Sequence, residues 1–362
     1  MMVPDAVDPA SLRRALVVKL RHHGDVLLAS PVFAVLKNHA PQLEIDALVY
    51  DDTQEMLALH PAIAEVHTVG RAWRGLPLPK KLAAEWGLLS RLRARRYDLL
   101  ITLTEHPRGA SLARLLRPRF RVAPHQPDRG RLWRSSFTHL YRLPGNGRRH
   151  TVEVNLDALR RIGIYPGEDE RRLVLVPGAE ATSAITARLA SLGIAESGFV
   201  HFHPASRWRF KCWPAERAAA LVDALARDGH AVVLTAAPSE PELELVRAIL
   251  AACRSTPIDL SGKLSLKALA ALAARAKLFV GVDSAPMHIA AAMGTPVVAL
   301  FGPSGDIEWG PWRVRSRVVA SAVHPCRPCG NDGCGGGKVS ECLTTLPVER
   351  VHAAARELLA GR

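Results

Sequence analysis

Short apolar runs alternate with amphipathic stretches along most of the chain, and this alternation limits the available folds more than any other feature. Each run has the length of a buried strand, and the stretches between runs have helical spacing. Strands that alternate with helices form parallel sheets, so the chain is predicted to be an α/β protein. The predicted strands are 15–20, 44–50, 64–69, 97–104, 120–124, 199–206, 230–237, 277–283 and 296–302, with short candidate runs at 173–177 and 257–262.

The strands fall into two series of similar size, which predicts two Rossmann-like parallel-sheet domains facing a central cleft. The predicted boundaries are 1–170 for the first domain, 171–345 for the second and 346–362 for a terminal helix. Residues 124–150 are rich in Pro, Gly and Arg and are predicted to be an irregular connection. The other predicted helices are 26–40, 53–60, 82–96, 151–164, 185–194, 214–229, 240–252, 265–276 and 285–294.

Positive charge is concentrated in one part of the chain. The sequence has 48 Lys and Arg against 34 Asp and Glu, a net charge of +14. Residues 71–149 contain 19 basic and only 4 acidic side chains, so the remainder of the chain is close to neutral. An excess confined to one stretch predicts an anionic partner for the first domain.

The overall composition limits the class of protein. Hydrophobic residues make up 48% of the chain, which is enough for a full core and excludes wholesale disorder. The first residues lack the basic start and apolar run of a secretory signal. The most apolar window, 278–301, is interrupted by Asp283, His288 and two prolines, unlike a membrane span. Since six cysteines without a secretory signal favour a reducing compartment, we expect a cytoplasmic protein.

Polar residues follow the first predicted strand, at the sheet edge where parallel sheets place their ligands. The segment 19–25 reads KLRHHGD, in which Gly24 permits a tight turn and Asp25 lies where a helix begins. Asp25 is therefore a candidate for chemistry. The alternative is a simple N-cap, a role that aspartate fills commonly.

Two further polar segments belong to the second domain. Residues 203–214 (HPASRWRFKCWP) carry three cations in a loop before a helix, which suits a phosphate, although such a loop can also be merely solvated. Residues 280–288 (VGVDSAPMH) end a strand at Asp283 and begin a helix, where Ser284 and free backbone N–H groups could hold a diphosphate. The alternatives are a capping role for Asp283 and a buried core position for His288.

The G-x-G-x-x-G and G-x-x-x-x-G-K-[ST] signatures of dinucleotide and P-loop sites are both absent. Taken in order, the segments KLRHHGDVLLASPVFAVLK, HPASRWRFKCWP and GVDSAPMHIAAAMGTPVVALFGPSG resemble those of the ADP-heptose-dependent lipopolysaccharide heptosyltransferases, glycosyltransferase family nine. The resemblance covers about residues 15–342 and looks closest to the heptosyltransferase III branch. It implies the GT-B fold and transfer of heptose to the lipopolysaccharide inner core.

The resemblance also implies roles for individual residues. Asp25 matches the family's general base, whose ionised carboxylate can take the proton of an attacking sugar hydroxyl. Lys211 matches the lysine that neutralises the departing diphosphate, and Asp283 the residue that binds the heptose hydroxyls. The other residues expected at the donor site are Ser206, Arg207, Ser284, Met287 and His288. Where other members have Thr-Gly-Leu-Ser after the aspartate, this chain has SAPM, which alters the expected phosphate contacts.

The implied reaction is a direct displacement that inverts the anomeric carbon without a metal, because Lys211 and a helix N-terminus supply the positive charge. The implied acceptor is the lipid A–core oligosaccharide, whose phosphates and Kdo carboxylates lie at the inner membrane. We therefore expect a protein peripheral to that membrane. The residues expected to contact the acceptor are His22, His23, Arg93 and Arg96, and Arg95, Arg117, Arg119 and Arg121 are expected to face the same anionic surface. The alternative is a compositional bias toward arginine.

Four of the six cysteines are close together in the sequence, at Cys326, Cys329, Cys334 and Cys342. Their C-x2-C-x4-C-x7-C spacing could close a structural zinc site, because four thiolates leave no open position for catalysis. The second pair lacks the usual spacing, so free thiols in a Gly-rich loop and an iron–sulfur cluster stay open as alternatives. No other cofactor is expected.

Two other functions stay open from the sequence. A nucleotide-sugar 2-epimerase can share the GT-B architecture but needs no acceptor. A basic nucleic-acid-binding protein could use the arginine-rich stretch together with a four-cysteine zinc module. That stretch has few aromatic residues for stacking, and the strand-end motifs would have no role. The sequence therefore predicts a heptosyltransferase that binds no nucleic acid.

Overall fold

A computed structural model describes residues 5–143, 149–195 and 198–361 of the chain. It divides into two compact units between Val176 and Pro177, six residues beyond the predicted boundary. Each unit contains one six-stranded parallel sheet. The predicted α/β class with two Rossmann-like sheets is confirmed.

The sheet of the first unit has the strand order β3-β2-β1-β4-β5-β6, the doubly wound Rossmann order. Its strands are β1 (Arg14–Val18), β2 (Glu44–Tyr50), β3 (Glu65–Val69), β4 (Leu99–Thr102), β5 (Phe120–Pro124) and β6 (His139–Tyr141). Its α-helices are α1 (His23–Leu27), α2 (Ser30–His39), α3 (Leu78–Arg95), α4 (Pro107–Leu116), α5 (Arg131–Arg134) and α6 (Thr151–Arg160). Short 3-10 helices lie at Pro9–Ser11, Asp51–Met56, Arg71–Gly75 and Asp169–Arg171.

The second unit repeats this order. Its strands are β7 (Phe199–His203), β8 (Ala231–Leu234), β9 (Ile258–Asp259), β10 (Leu278–Val282), β11 (Val297–Phe301) and β12 (Ser316–Ala320), arranged as β9-β8-β7-β10-β11-β12. Its α-helices are α7 (Ala179–Ser191), α8 (Ala215–Arg227), α9 (Glu240–Ala252), α10 (Leu266–Ala273), α11 (Ala285–Ala292), α12 (Asp306–Trp309), α13 (Glu341–Thr344) and α14 (Val348–Leu359). Two 3-10 helices lie at Arg209–Lys211 and Cys334–Gly336.

The central strands are apolar runs because helices cover them. Every residue of β4, β7, β10 and β11 is buried, as expected for parallel strands with both faces packed. The terminal helix α14 buries Val351, Ala355 and Leu358 in the core of the second unit. The terminal segment predicted as separate is therefore part of that unit.

Several parts of the chain differ from the predicted pattern. Helix α4 was not predicted, and the segment 53–60, predicted to be a helix, contributes only to the 3-10 helix Asp51–Met56. The stretch 124–150, predicted to be irregular, contains α5 and β6, while its residues 144–148 lie outside the described chain. The outer strand β12 was not predicted. The apolar run 173–177 forms no strand. It is an extended segment that crosses the boundary between the two units in the sequence, and it buries Leu173 and Leu175.

Each sheet has a switch point, where consecutive connections leave toward opposite sides. It lies between β1 and β4 in the first unit and between β7 and β10 in the second. The crevice beside the carboxyl ends of such strands is where open α/β sheets bind ligands.

Among the described residues, no helix combines the length and apolar content that a membrane crossing requires.

Candidate active site

All three predicted motifs follow a switch-point strand. Asp25 comes after β1, Lys211 after β7 and Asp283 after β10. Each side chain is therefore placed at the ligand-binding edge of its own sheet.

Asp25 lies in the first turn of α1, with its carboxylate half-buried. The N-cap position belongs to His22, so the alternative that Asp25 is the cap is wrong. Within the described part of the chain, the Asp25 carboxylate forms no hydrogen bond or ion pair. An unpaired carboxylate at this edge is free to accept a proton from a bound ligand.

Lys19 lies beneath this position, at the end of β1, and was not assigned a role from the sequence. Its buried ammonium donates hydrogen bonds to the main-chain oxygen of Leu103 (3.2 Å) and to Oδ1 of Asn155 (3.0 Å). Burial lowers the pKa of Lys19 to about 8, although the negative charge of Asp25 acts in the opposite direction. Lys19 thus places a buried cation within electrostatic reach of Asp25.

A group of arginines surrounds His106, which follows β4 and caps α4 by accepting a hydrogen bond from the amide of Arg108 (3.1 Å). Burial lowers the pKa of His106, and four arginines from four different segments lower it further. We call these four the arginine cluster: Arg108, Arg74, Arg21 and Arg129. They follow β4, β3, β1 and β5, so they gather at the same sheet edge as Asp25.

The members of the arginine cluster differ in how they are held. Arg108 makes two hydrogen bonds to the Glu85 carboxylate (2.5 and 2.6 Å), and Arg129 donates to the main-chain oxygen of Glu105 (3.2 Å). Among the described residues, the side chains of Arg21 and Arg74 have no carboxylate partner. Two of the four guanidinium groups are thus available to an anion.

The predicted acceptor residues are divided between the two edges of the sheet. His22 and His23 lie beside Asp25, and His23 Nε2 is 2.9 Å from the main-chain oxygen of Asp52. Arg93 and Arg96 lie at the carboxyl end of α3, which leads into the amino end of β4. They therefore lie at the opposite edge of the sheet. Helix α3, which is about 27 Å long, runs from one edge to the other. The structure does not bring them together with His22 and His23.

Arg95 does not face solvent as predicted, because it belongs to a buried polar cluster at that opposite edge. Its guanidinium donates to both carboxylate oxygens of Asp46 (2.7 and 3.0 Å), and Tyr97 donates to the same carboxylate (2.6 Å). Asp46, Glu65 and His67 form the one group of three potential metal ligands among the described residues. Burial opposes ionisation of Asp46, but hydrogen bonds from His67, Arg95 and Tyr97 lower its pKa to about 2. Arg95 supplies the compensating positive charge, so the cluster is structural.

In the second unit, the two predicted donor motifs meet across the switch point. The Lys211 ammonium, at the end of the 3-10 helix after β7, donates to Oδ2 of Asp283 at 2.5 Å. The Asp283 side chain is 7% exposed and that of Lys211 is 21% exposed. Asp283 precedes α11, whose N-cap is Ser284, so Asp283 is an ion-pair partner rather than a cap.

The remaining predicted donor residues occupy different positions. Ser206 and Arg207 line a cavity of the second unit together with Arg209, Glu242 and Lys338. Ser206 is buried, and its Oγ accepts from the amide of Trp208 (3.3 Å). The loop is therefore ordered by its own contacts rather than merely solvated.

The donor residues predicted at the start of α11 are less accessible to a ligand than expected. Ser284 Oγ donates to the main-chain oxygen of Val282 (3.2 Å) instead of capping the helix. Met287 is fully buried and its amide donates to the Ser284 oxygen (3.1 Å), so it does not line this edge. His288 is also buried, as its alternative interpretation required.

Three of the four clustered cysteines lie in the loop between β12 and α13, and Cys342 lies in α13 itself. Cys342 is buried, whereas Cys326, Cys329 and Cys334 are exposed, and all four are unoxidised thiols. Within the described chain, no three of these thiols converge to the distances of a shared metal ion. The loop would therefore have to close around an ion, and the zinc site stays a prediction.

Comparison with known proteins identifies the family. The family model of glycosyltransferase family 9 (heptosyltransferase) matches residues 86–339. The chain belongs to glycosyltransferase family 9. Lipopolysaccharide heptosyltransferase 3 of Escherichia coli is 36% identical to it over 295 residues, which are 81% of this chain and 84% of that protein. The corresponding protein of strain K12 is 34% identical over 342 residues, covering 94% and 96% of the two chains.

Solved structures agree with the family. A family 9 glycosyl transferase from Veillonella parvula DSM 2008 superposes with a TM-score of 0.84 at 25% identity, covering 99% of this chain and all of that one. E. coli ADP-heptose lps heptosyltransferase II gives 0.75 at 22% identity, covering 96% and 99%. The predicted GT-B fold class is thereby confirmed. Membership of a glycosyltransferase family also sets aside the epimerase alternative.

Proposed function

We propose that the protein is an inverting heptosyltransferase that moves heptose from ADP-heptose to the inner core of lipopolysaccharide, as a heptosyltransferase III. The names of its two E. coli relatives support the substrate class. The observation that carries the chemistry is the unpaired carboxylate of Asp25 at the switch point of the first unit.

Asp25 acts as the general base. A hydroxyl of the acceptor sugar attacks the anomeric carbon of the donor, its proton passes to the Asp25 carboxylate, and the bond to the ADP oxygen breaks. A single displacement inverts the configuration and leaves no covalent sugar–enzyme intermediate. Lys19, buried beneath, stabilises the carboxylate before the proton arrives.

Lys211 stabilises the leaving group. Its ammonium is held by Asp283 at the ligand-binding edge of the second unit, beside the start of α11. A fixed cation and a helix N-terminus together compensate the charge that develops on the departing diphosphate. This positive field supports a reaction that requires no metal.

The arginine cluster binds the acceptor. Kdo carboxylates and core phosphates are anions, and the guanidinium groups of Arg21 and Arg74 are available to such groups at the edge that carries Asp25. We further propose that the protein works at the cytoplasmic face of the inner membrane as a peripheral protein. It binds no nucleic acid, and strongly salt-dependent binding to DNA would contradict this.

The test is a donor and acceptor screen with purified enzyme and truncated core lipids, read by mass spectrometry. We expect one added heptose from ADP-heptose, and we expect Asp25→Asn to lower turnover by at least about a hundredfold while ADP binding persists. Asp169→Asn is the control, because Asp169 is 94% exposed and lies in a 3-10 helix beside the carboxyl end of α2. Turnover of ADP-heptose without an acceptor would favour an epimerase, and full activity of Asp25→Asn would remove the general base.

A further inference from the structure

One flank of α3 carries large apolar side chains that no described residue covers. Leu78, Leu82 and Trp86 are spaced four residues apart and therefore share one flank of the helix. They are 67%, 59% and 65% exposed, and the neighbouring Leu115 of α4 is 45% exposed. A contiguous apolar surface of this kind usually marks an interaction site.

These side chains border a groove between α3 and α4. Its walls are apolar, with Leu82, Trp86 and Leu89 on one side and Leu115 on the other. The lining also includes the ion pair between Glu85 of α3 and Arg108 of α4, and Arg108 belongs to the arginine cluster. The apolar surface is thus continuous with the proposed acceptor site.

The charge around the groove is strongly positive. Helix α3 carries five basic residues against the single acidic residue Glu85, and α4 carries two basic residues and no acidic one. Within the described chain, Lys80 and Arg91 have no ion-pair partner, but helical spacing places them on the flank of α3 opposite Leu82 and Trp86. Arg93 shares the flank of Trp86 and borders the groove by donating to the main-chain oxygen of Leu115 (3.4 Å). Exposed Trp and Leu side chains flanked by cations are typical of helices that lie in an anionic membrane interface.

We propose that this surface, Leu78, Leu82, Trp86 and Leu115 with its basic border, docks the protein on an anionic phospholipid bilayer. Trp86 and Leu82 enter the interfacial layer, and Arg93 contacts lipid phosphates. The docking deepens the proposed function, because it holds the arginine cluster beside the membrane in which a lipid acceptor is embedded. Charge complementarity favours lipid over a second copy of this basic chain.

The first experiment measures binding of the full chain to sedimented vesicles. We expect strong binding to phosphatidylcholine vesicles that contain phosphatidylglycerol, and little to phosphatidylcholine alone. The double variant Leu82→Ser/Trp86→Ser should bind anionic vesicles at least about tenfold more weakly. Arg93→Gln should lose more of the dependence on phosphatidylglycerol than Arg91→Gln, which removes the same charge from the opposite flank of α3. The control Leu59→Ser/Val323→Ser removes two side chains of similar exposure, 63% and 81%, and should bind normally.

The second experiment separates docking from catalysis. With a soluble, deacylated acceptor, Leu82→Ser/Trp86→Ser should transfer sugar at the wild-type rate, and with acceptor embedded in anionic vesicles it should be several-fold slower. The proposal would be overturned if the double variant bound vesicles as well as the wild type, or if the control lost as much binding as the double variant. It would also be overturned if the wild type bound neutral and anionic vesicles equally well. Wild-type protein that binds vesicles but transfers no heptose would instead refute only the proposed function.

Discussion

The charged side chains at the two switch points are held in opposite ways. The Asp25 carboxylate has no partner in the described chain, whereas Lys211 is tied to Asp283 at 2.5 Å. A base must be free to receive a proton, but a cation that stabilises a leaving group gains from being fixed beforehand. The sequence predicted both residues because each lies in the segment that follows a strand, which the apolar pattern locates, and because the family resemblance implied their roles. Lys19 was missed because its role depends on burial, which the motif does not reveal.

Replacing Lys211 with Met removes the ammonium and keeps most of the side-chain length. We expect kcat to fall by about two orders of magnitude, since the helix N-terminus of α11 remains but the fixed cation beside the departing diphosphate is lost. Steady-state kinetics of ADP release would measure this. Lys263→Met is the matched control, because Lys263 lies in the same unit, is 54% exposed and has a looser carboxylate partner at 3.9 Å. Similar losses in both variants would contradict the role of Lys211.

Two buried histidines beneath the Lys211 loop predict acid sensitivity. His201 Nε2 and His203 Nδ1 lie 2.7 and 2.9 Å from the hydroxyl of Thr235, and burial lowers the pKa of both to about 3. An unfolded histidine titrates near 6.5, so between pH 6.5 and 3 the unfolded chain binds more protons than the folded one. The free energy of unfolding should therefore fall as the pH is lowered, by about 2 kcal/mol per histidine at pH 5.

Urea unfolding at pH 7 and pH 5 would measure this effect. His201→Gln/His203→Gln should lose much of the pH dependence even if it is less stable overall. His230→Gln, at a half-buried histidine in the same unit, should retain it. Equal pH dependence in wild type and the double variant would exclude these histidines as its source.

Among the elements, the interior strands and the outer strand β3 were predicted, and β9 falls in the candidate run 257–262, whereas the outer strands β6 and β12 were not predicted. β2 and β5 begin and end where the apolar pattern places them. β6 has three residues, and β12 has a partly exposed sequence that pairs only with β11. An outer strand is short and half-solvated, so its pattern is too weak to distinguish it from a loop.

The cysteine loop between β12 and α13 is the element whose chemistry the structure leaves as a prediction. If the sequence spacing reflects zinc, protein purified without chelator should contain about one equivalent, and removing it should lower Tm, because bound metal stabilises only the folded loop. Cys342→Ser should lose the metal, while Cys253→Ser, which lies outside the loop, should retain it. A zinc content below about a tenth of an equivalent would show that the thiols are free.

At the scale of the molecule, each arginine's location depends on which edge of the sheet its segment reaches, and not on its place within the basic stretch 71–149. The basic stretch crosses the first unit from one sheet edge to the other, because α3 alone is 18 residues long. Arg74 and Arg108 lie at the edge that carries Asp25, and Arg93 and Arg96 lie at the opposite one. A high density of arginine in the sequence could predict which unit binds an anion, but not at which edge of its sheet. The arginine cluster brings together residues from four different segments.

This division predicts different effects for two pairs of arginines. Arg21→Gln/Arg74→Gln should raise the KM for a soluble, deacylated acceptor by about tenfold, because each charge near an anionic group contributes on the order of 1 kcal/mol. The KM for ADP-heptose should change little, since Lys211 and α11 belong to the other unit. Arg93→Gln/Arg96→Gln removes the same charge from the same unit and should leave both constants nearly unchanged with this acceptor. Equal increases in acceptor KM from the two pairs would mean that net charge, rather than the arginine cluster, attracts the acceptor.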